Sequence, residues 1–155
     1  MNTQRQAFLD MIAYSEIGPK LLALSDRGYN VIVGSTSEKP LLFTTYADHP
    51  RRLIQLGPRL ASTAAGRYQL LAKYFDAYKR QLKLPDFSPA SQDAIALQQI
   101  REQGALDLVD AGNLSGAIAR VKNIWASLPG AGYGQHENQL ADLSVAFVTA
   151  GGVLA

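Results

Sequence analysis

The chain has 155 residues, of which 47% are hydrophobic and 18% charged, and 15 Lys and Arg against 13 Asp and Glu leave a net charge of +2. A length within roughly 100–200 residues fits one domain, residues 1–155, whose core needs no metal or disulfide to hold it. Cysteine is absent, which excludes a disulfide scaffold, a thiolate zinc site, an iron–sulfur cluster and a cysteine nucleophile. The mild basic charge lacks the dense stripe of a committed nucleic-acid binder.

The first 14 residues carry Arg5 and Asp10 and show no apolar core of signal-peptide length. No run approaches the roughly 20 apolar residues of a membrane span. The expectation is a soluble protein with no export signal of its own and no membrane insertion. Thr3 and Gln6 have the spacing of a capping box, and Phe8, Met11, Ile12 and Ser15 follow at helical intervals. They predict a first helix ending near Ser15 and Glu16, with Gly18-Pro19 as its stop.

Residues 29–33 and 41–46 are rich in β-formers and preceded by turn residues, which predicts a small antiparallel sheet. His49-Pro50 and Gly57-Pro58 punctuate its exit. Helical patterning resumes after Gly66, with Leu70, Leu71, Tyr74 and Tyr78 on one face and Pro85 beyond the end. Ser88 before Pro89 predicts an N-cap and a helix through about Gln103, and Asn113 opens another that carries Ile118, Val121 and Trp125. A glycine-rich loop, residues 128–134, precedes a last helix that carries Leu140, Leu143 and Phe147 and stops at Gly151. The order predicts an α+β domain with a helical majority.

His49 and His136 have no ligand spacing between them, so no catalytic metal is predicted and both are assigned structural or surface roles. No G-x-S-x-G occurs, and the glycine-rich loop lacks the Lys-Ser/Thr ending of a P-loop. No cofactor is expected. Glu16 stands apart from the other acids. At the end of an apolar helix, both the negative end of the helix dipole and desolvation raise the pKa of a carboxyl, as a general acid working near neutral pH requires. A solvated terminal Glu is the alternative. Asp26 and Asp48, in loops around the predicted sheet, are in position to face it; Asp93 looks ordinary. Tyr29, Tyr46, Tyr68 and Tyr133 fall at turns and element boundaries, where they serve either as sugar-stacking rings or as partly buried packing. Tyr74, Tyr78 and Trp125 read as core.

The ordered motifs Ala13-Tyr14-Ser15-Glu16, Gly28-Tyr29-Asn30-Val31-Ile32-Val33-Gly34 and Tyr46-Ala47-Asp48-His49-Pro50-Arg51 resemble the phage lambda endolysin family. So do Ala65-Gly66-Arg67-Tyr68-Gln69-Leu70-Leu71 and the run from Asn123 through Trp125 and Tyr133 to Gln135. The resemblance covers nearly the whole chain, while residues 17–26 and 34–41 depart from the lambda pattern. It implies a lysozyme-like fold with a helical lobe, a small β-lobe and a saccharide cleft. It further implies a lytic transglycosylase that cuts the MurNAc–GlcNAc β-1,4 bond of peptidoglycan glycan strands. The family's catalytic glutamate matches Glu16. The substrate-binding segment matches Gly66, Arg67, Tyr68 and Gln69, and Tyr133 matches the tyrosine kept beside the acid. Tyr29 and Tyr46 complete the substrate-binding candidates. The resemblance also implies a protein held in the bacterial host cytoplasm until a separate holin admits it to the periplasm and wall, and a monomer is expected. Two alternatives stay open: a hydrolytic lysozyme pairing Glu16 with Asp26 or Asp48, and a non-catalytic wall-binding module.

Overall fold

The structure, a computed structural model, describes residues 1–134 and 136–155. Its elements run α1 (Thr3–Ile17), α2 (Pro19–Leu24), β1 (Ile54–Gly57), β2 (Leu60–Ser62), α3 (Ala72–Leu82), α4 (Pro89–Glu102), α5 (Leu106–Asp110), α6 (Leu114–Val121) and α7 (Leu140–Thr149). This is the predicted α+β composition with a helical majority. The chain divides into two compact units, one of Met1–Glu16 with Ala96–Ala155 and one of Ile17–Ile95.

In the first unit α1 is the central element. Ala7, Phe8, Leu9, Met11, Ile12 and Ala13 are all buried, and a helix apolar on nearly every side belongs inside a core. Its cap differs from the capping box that Thr3 and Gln6 predict. Asn2 Oδ1 accepts from the Arg5 backbone N–H at 2.8 Å, while the Gln6 amide turns along the helix to Asp10 Oδ1 at 3.1 Å. Asn begins helices at least as well as Thr, so the cap moved one residue outward. Arg5 forks onto Asp110, with Nε to Oδ1 at 2.8 Å and Nη2 to Oδ2 at 2.7 Å. Gln4 exchanges a pair of bonds with Val153, its Nε2 donating to the carbonyl at 2.9 Å and its Oε1 accepting from the N–H at 2.7 Å. Asn113 caps α6 as predicted, its Oδ1 accepting from Gly116 N at 3.0 Å. Leu143 and Phe147 are core residues, and so is Trp125, as predicted, although α6 ends at Val121 before reaching it.

In the second unit the expected sheet is replaced. Residues 29–33 and 41–46 meet only at the isolated bridge Val31–Leu42, and Ile32 bridges Ala65 on the other side. Tyr29, Val31 and Ile32 are buried because this segment runs through the core, with two backbone bonds to either flank. Ile32 N donates to Leu41 O at 2.9 Å, and Val33 N to Ala64 O at 3.0 Å. The true ladder pairs β1 with β2 antiparallel in the register Ile54–Ser62, Gln55–Ala61 and Gly57–Leu60. Gly57 thus ends β1 and Pro58-Arg59 forms the hairpin turn, so Gly57-Pro58 lies within the sheet rather than at its exit. Both strands lie mostly exposed, so they carry no alternation of apolar and polar residues for the sequence to display.

Two further expectations change. Leu70 and Leu71 precede α3 instead of belonging to it: Leu70 pairs back onto Ala65, with N–H to carbonyl bonds of 3.1 and 2.9 Å, and closes the turn over residues 66–69. The core-facing ring of α3 is Phe75, fully buried, whereas Tyr74 is 47% exposed. Phe75 meets Phe87 edge-on with ring centres 4.9 Å apart, and His49 lies 4.9 Å from Phe87. His49 accepts the Arg51 N–H at Nδ1 and therefore carries its proton on Nε2, which donates to Leu70 O at 2.8 Å. Burial pushes its pKa down, so it serves as a neutral core residue, the structural role assigned from the sequence. The short α2 and α5, of six and five residues, were not predicted, since neither is long enough to display a period.

Candidate active site

Glu16 is the last residue of the first unit's α1 segment, half-buried at the end of an apolar helix. Burial raises its carboxyl to about 7, and a hydrogen bond from the Ser127 hydroxyl works in the opposite direction. Desolvation wins because an ionised carboxylate loses more hydration than one hydroxyl donor returns. Near neutral pH the group is therefore divided between acid and base.

Around it lies a set of side chains from the loop before α7. Ser15 Oγ sits 2.8 Å from Ser127 Oγ. Asn138 Nδ2 donates to Ser15 Oγ at 3.0 Å and to Ser15 O at 3.2 Å, and Asn138 N donates to Ser127 O at 2.8 Å. Ser127 lay within the recognised motif without a role, and Asn138 went unnoticed. Contacts over more than a hundred residues of chain leave no local signal.

The glycine-rich loop is organised by another residue that the sequence reading missed. Glu137 accepts from Gly130 N and from Gly132 N, each at 2.9 Å, one through each carboxylate oxygen. These two bonds hold its pKa down. Gly130 and Gly132 have φ of 77° and 78°, values that suit glycine alone among common residues. Beyond them Tyr133 stands 57% exposed, its hydroxyl donating to Asn123 O at 3.1 Å, so its ring presents a face to solvent. His136 is exposed in the same stretch, and Gln135, the last residue of the recognised motif, lies outside the described residues.

The Gly-Arg-Tyr-Gln segment in the second unit looks inward. Gly66 has φ 84°, and a Cβ there would collide with Gln92 Oε1 and the Phe87 ring. Gln92, fully enclosed, accepts from Arg67 N at 2.9 Å and donates to Tyr29 O at 3.0 Å and Phe87 O at 2.9 Å. The Arg67 guanidinium lies 5.1 Å from the Tyr29 ring centre and 5.7 Å from that of Tyr68. Tyr29 and Tyr68 both donate to Asp93 Oδ1, at 2.9 and 2.6 Å. With Tyr29 only 4%, Tyr68 5% and Arg67 8% exposed, these three substrate-binding candidates form a buried scaffold, the packing role that the sequence left open for the tyrosines. Asp93, read as ordinary, anchors it. Gln69 remains half-buried beside them with φ 51°, its Nε2 donating to Gly66 O at 2.8 Å and Val31 O at 3.3 Å.

Tyr46 is half-buried, and its hydroxyl donates to Asp26 Oδ2 at 2.6 Å. Asp48 is engaged by Arg51, which also reaches Asp76. Both loop aspartates thus already have partners. Among the described residues no group of three or more His, Asp or Glu is placed to hold a metal ion, and no helix is long and apolar enough to cross a membrane.

Comparison with known proteins places these features in a wider setting. Residues 6–154 match the family described as Endolysin. The endolysin of Escherichia phage lambda is 55% identical over 155 residues, spanning 99% of this chain and 95% of the relative. That of Escherichia phage P2 is 52% identical over 154 residues, spanning 96% and 93%. A solved structure of phage lambda lysozyme in complex with a chitohexasaccharide gives a TM-score of 0.91 at 54% identity, covering 100% of this chain and 98% of that one. A second structure of the lambda lysozyme gives 0.88 at the same identity. The lysozyme-like α+β fold implied by the motifs is the fold of this chain.

Proposed function

The chain belongs to the endolysin family, and from that premise we propose that it is a peptidoglycan-cleaving enzyme of the lytic transglycosylase type, with Glu16 as its one catalytic carboxyl. The observation that carries this reading is the desolvated Glu16, poised at about 7 with a hydroxyl donor beside it. A group so poised both gives and takes a proton near neutral pH.

The reaction follows from that property. Protonated Glu16 donates to the glycosidic oxygen as the C1–O bond of MurNAc breaks and positive charge grows at C1. The resulting carboxylate then accepts the proton of the C6 hydroxyl of the same sugar as that oxygen bonds to C1. The product ends in a 1,6-anhydro ring, water is not consumed, and Glu16 returns to its protonated form. The nucleophile is already tethered to the reacting centre, so its effective concentration is high and a second carboxyl is not needed. A hydrolase of the usual kind needs two, about 5–5.5 Å apart for retention or about 6.5–9.5 Å for inversion. Asp26 and Asp48, the residues that would fill that role, are held by Tyr46 and Arg51.

The glycan is the natural occupant, since the lambda lysozyme was solved with a chitohexasaccharide. Exposed Tyr133 offers a ring face for stacking on a sugar and Gln69 offers amide contacts, while the Arg67–Tyr68–Asp93 scaffold fixes the segment that carries Gln69. We place the protein in the cytoplasm of an infected bacterium until a holin opens the membrane, after which it works as a monomer on the wall. The net charge of +2 favours adsorption to an anionic wall.

Digestion of purified sacculi, with mass analysis of the fragments, tests the reaction. Fragments one water lighter than hydrolytic products, with no reducing end, are expected. Reducing ends that take up oxygen from isotopically heavy water identify a hydrolase instead.

A further inference from the structure

The hydrogen bonds leading to Glu16 run in one direction only. The face that Asn138 turns toward Ser15 must be its NH2 group. It meets Ser15 O at 3.2 Å and Ser127 O at 3.4 Å, and carbonyl oxygens only accept. The same nitrogen donates to Ser15 Oγ at 3.0 Å. Having received that bond, Ser15 spends its single hydroxyl proton on the nearer of its remaining neighbours. That is Ser127 Oγ at 2.8 Å, since Ser127 O stands at 3.4 Å. Ser127, receiving from Ser15, has its own proton left for the carboxyl of Glu16.

We propose that Asn138 is a positioning residue for the acid: by donating at the far end of the chain Asn138, Ser15, Ser127, Glu16, it aims the Ser127 hydroxyl at the carboxylate. Asn138 touches no reacting atom. It acts by fixing the sense in which two hydroxyls point, which on their own are free to rotate. Its backbone holds it in register, because Asn138 N donates to Ser127 O at 2.8 Å, so the side chain and the serine it serves move together.

The consequence is a bias in Glu16's proton equilibrium. A donor aimed at the carboxylate favours the ionised form and offsets part of the desolvation. Without Asn138 the Ser15 hydroxyl gains no incoming bond, and the Ser127 hydroxyl is free to turn toward Ser15. Glu16 then loses that donor and holds its proton more tightly. Within the first unit burial and the Ser127 hydroxyl are the influences on this group, and among the described residues no charged side chain of that unit adds to them. The nearby charge of Glu137 is spent on Gly130 and Gly132.

This assignment rests on Glu16 being the acid, and its test separates the two ideas. The Glu16 titration is followed directly by carboxyl-resolved NMR on the intact protein, alongside the pH dependence of sacculus digestion. The variants are Asn138→Ala, Ser127→Ala and the pair combined. Ser127→Ala is expected to move the Glu16 midpoint up by ~0.5–1 pH unit, the worth of one hydrogen bond. Asn138→Ala is expected to move it the same way by a smaller amount, and to lower kcat while leaving KM in place. The double variant is expected to move no further than Ser127→Ala alone, because Asn138 acts through Ser127. Should Asn138→Ala not fold, Asn138→Leu, close in shape but without a donor, removes the same first link while leaving Ser15 in place, and carries the same expectation. An unmoved midpoint in Asn138→Ala, or in Asn138→Leu, overturns the proposal, and so do shifts that add in the double variant. If the midpoints move as expected while Glu16→Gln still digests sacculi, the positioning stands and the catalytic reading of Glu16 falls.

Discussion

Ser15 and Ser127 are 112 residues apart in the chain, yet their hydroxyl oxygens lie 2.8 Å from one another beside Glu16. The end of a buried helix and the start of a glycine-rich loop are thereby joined at a carboxyl that burial holds near neutrality. Local helix packing, loop capping and acid–base chemistry all meet at that contact.

Glu16→Gln separates activity from stability. Removing a general acid costs about 10²–10⁴ in rate, and more where one group serves both proton transfers, so lysis should be lost. Stability should move the other way. The folded pKa of Glu16, about 7, lies above its ordinary value of 4.5. The folded protein therefore binds more protons than the unfolded chain between those values, and stability falls as pH rises through that window. At pH 8 the penalty is on the order of 3 kcal/mol, and at pH 4 it is absent. Denaturant midpoints of the Gln variant should exceed those of the parent at pH 8 and converge with them toward pH 4. Equal midpoints at pH 8 mean that the carboxyl is well hydrated.

The buried Gln92 offers a test of the scaffold. Gln92→Ala leaves Arg67 N, Tyr29 O and Phe87 O without their side-chain partner, and each uncompensated buried group costs about 1–3 kcal/mol. A loss of at least ~2 kcal/mol in equilibrium unfolding is expected. Gly66→Ala should be comparably harmful, since it combines a left-handed backbone with a collision against Gln92 and Phe87. A neutral result for both means that the turn over residues 66–69 rearranges without cost.

These residues also mark how far the sequence alone carries. Glu16 was legible because its chemistry follows from a local fact, an acid at the end of an apolar helix. The caps at Asn113 and Ser88, whose side-chain oxygens accept from Gly116 N at 3.0 Å and Ser91 N at 3.4 Å, were legible for the same reason. Tyr29, Tyr68 and Arg67 lay in a recognised motif, but their burial depends on Asp93 and Gln92, which come from a helix more than twenty residues away. Periodicity cannot report such pairings. The hairpin of β1 and β2 was illegible for the opposite reason: its residues face solvent, and solvent imposes no pattern on them.

Tyr133 and Tyr68 should respond differently to substitution. Tyr133 is exposed and its hydroxyl reaches only a backbone carbonyl, so Tyr133→Ala should leave the unfolding midpoint nearly unchanged while weakening binding of a chitooligosaccharide. Tyr68→Phe removes a buried hydroxyl from Asp93 and should reduce stability by about 1–3 kcal/mol. Calorimetric titration with a chitohexaose, run on both variants, distinguishes a sugar contact from a structural one. Unchanged affinity in Tyr133→Ala removes it from the binding surface.

Glu137 makes the glycine-rich loop sensitive to acid. Its carboxylate accepts two backbone N–H bonds, and its pKa lies below the ordinary value of 4.5 because of them. A depressed carboxylate contributes its stabilisation above the unfolded pKa and loses it as pH falls through the folded value. The loop around Tyr133 should therefore stay anchored at neutral pH and loosen only well into the acid range. Protonation removes one acceptor oxygen from the pair that holds Gly130 and Gly132. Amide exchange at Gly130 and Gly132, corrected for the intrinsic pH dependence of exchange, should show protection that persists at pH 6 and fails below the Glu137 titration. In Glu137→Gln one amide oxygen replaces two carboxylate oxygens, so only one of the two N–H groups can keep a strong acceptor. Protection should be reduced there at every pH, without the acid transition. If the parent and the Gln variant exchange alike at pH 6, the carboxylate does not anchor the loop, and Tyr133 must be held by its own bond to Asn123.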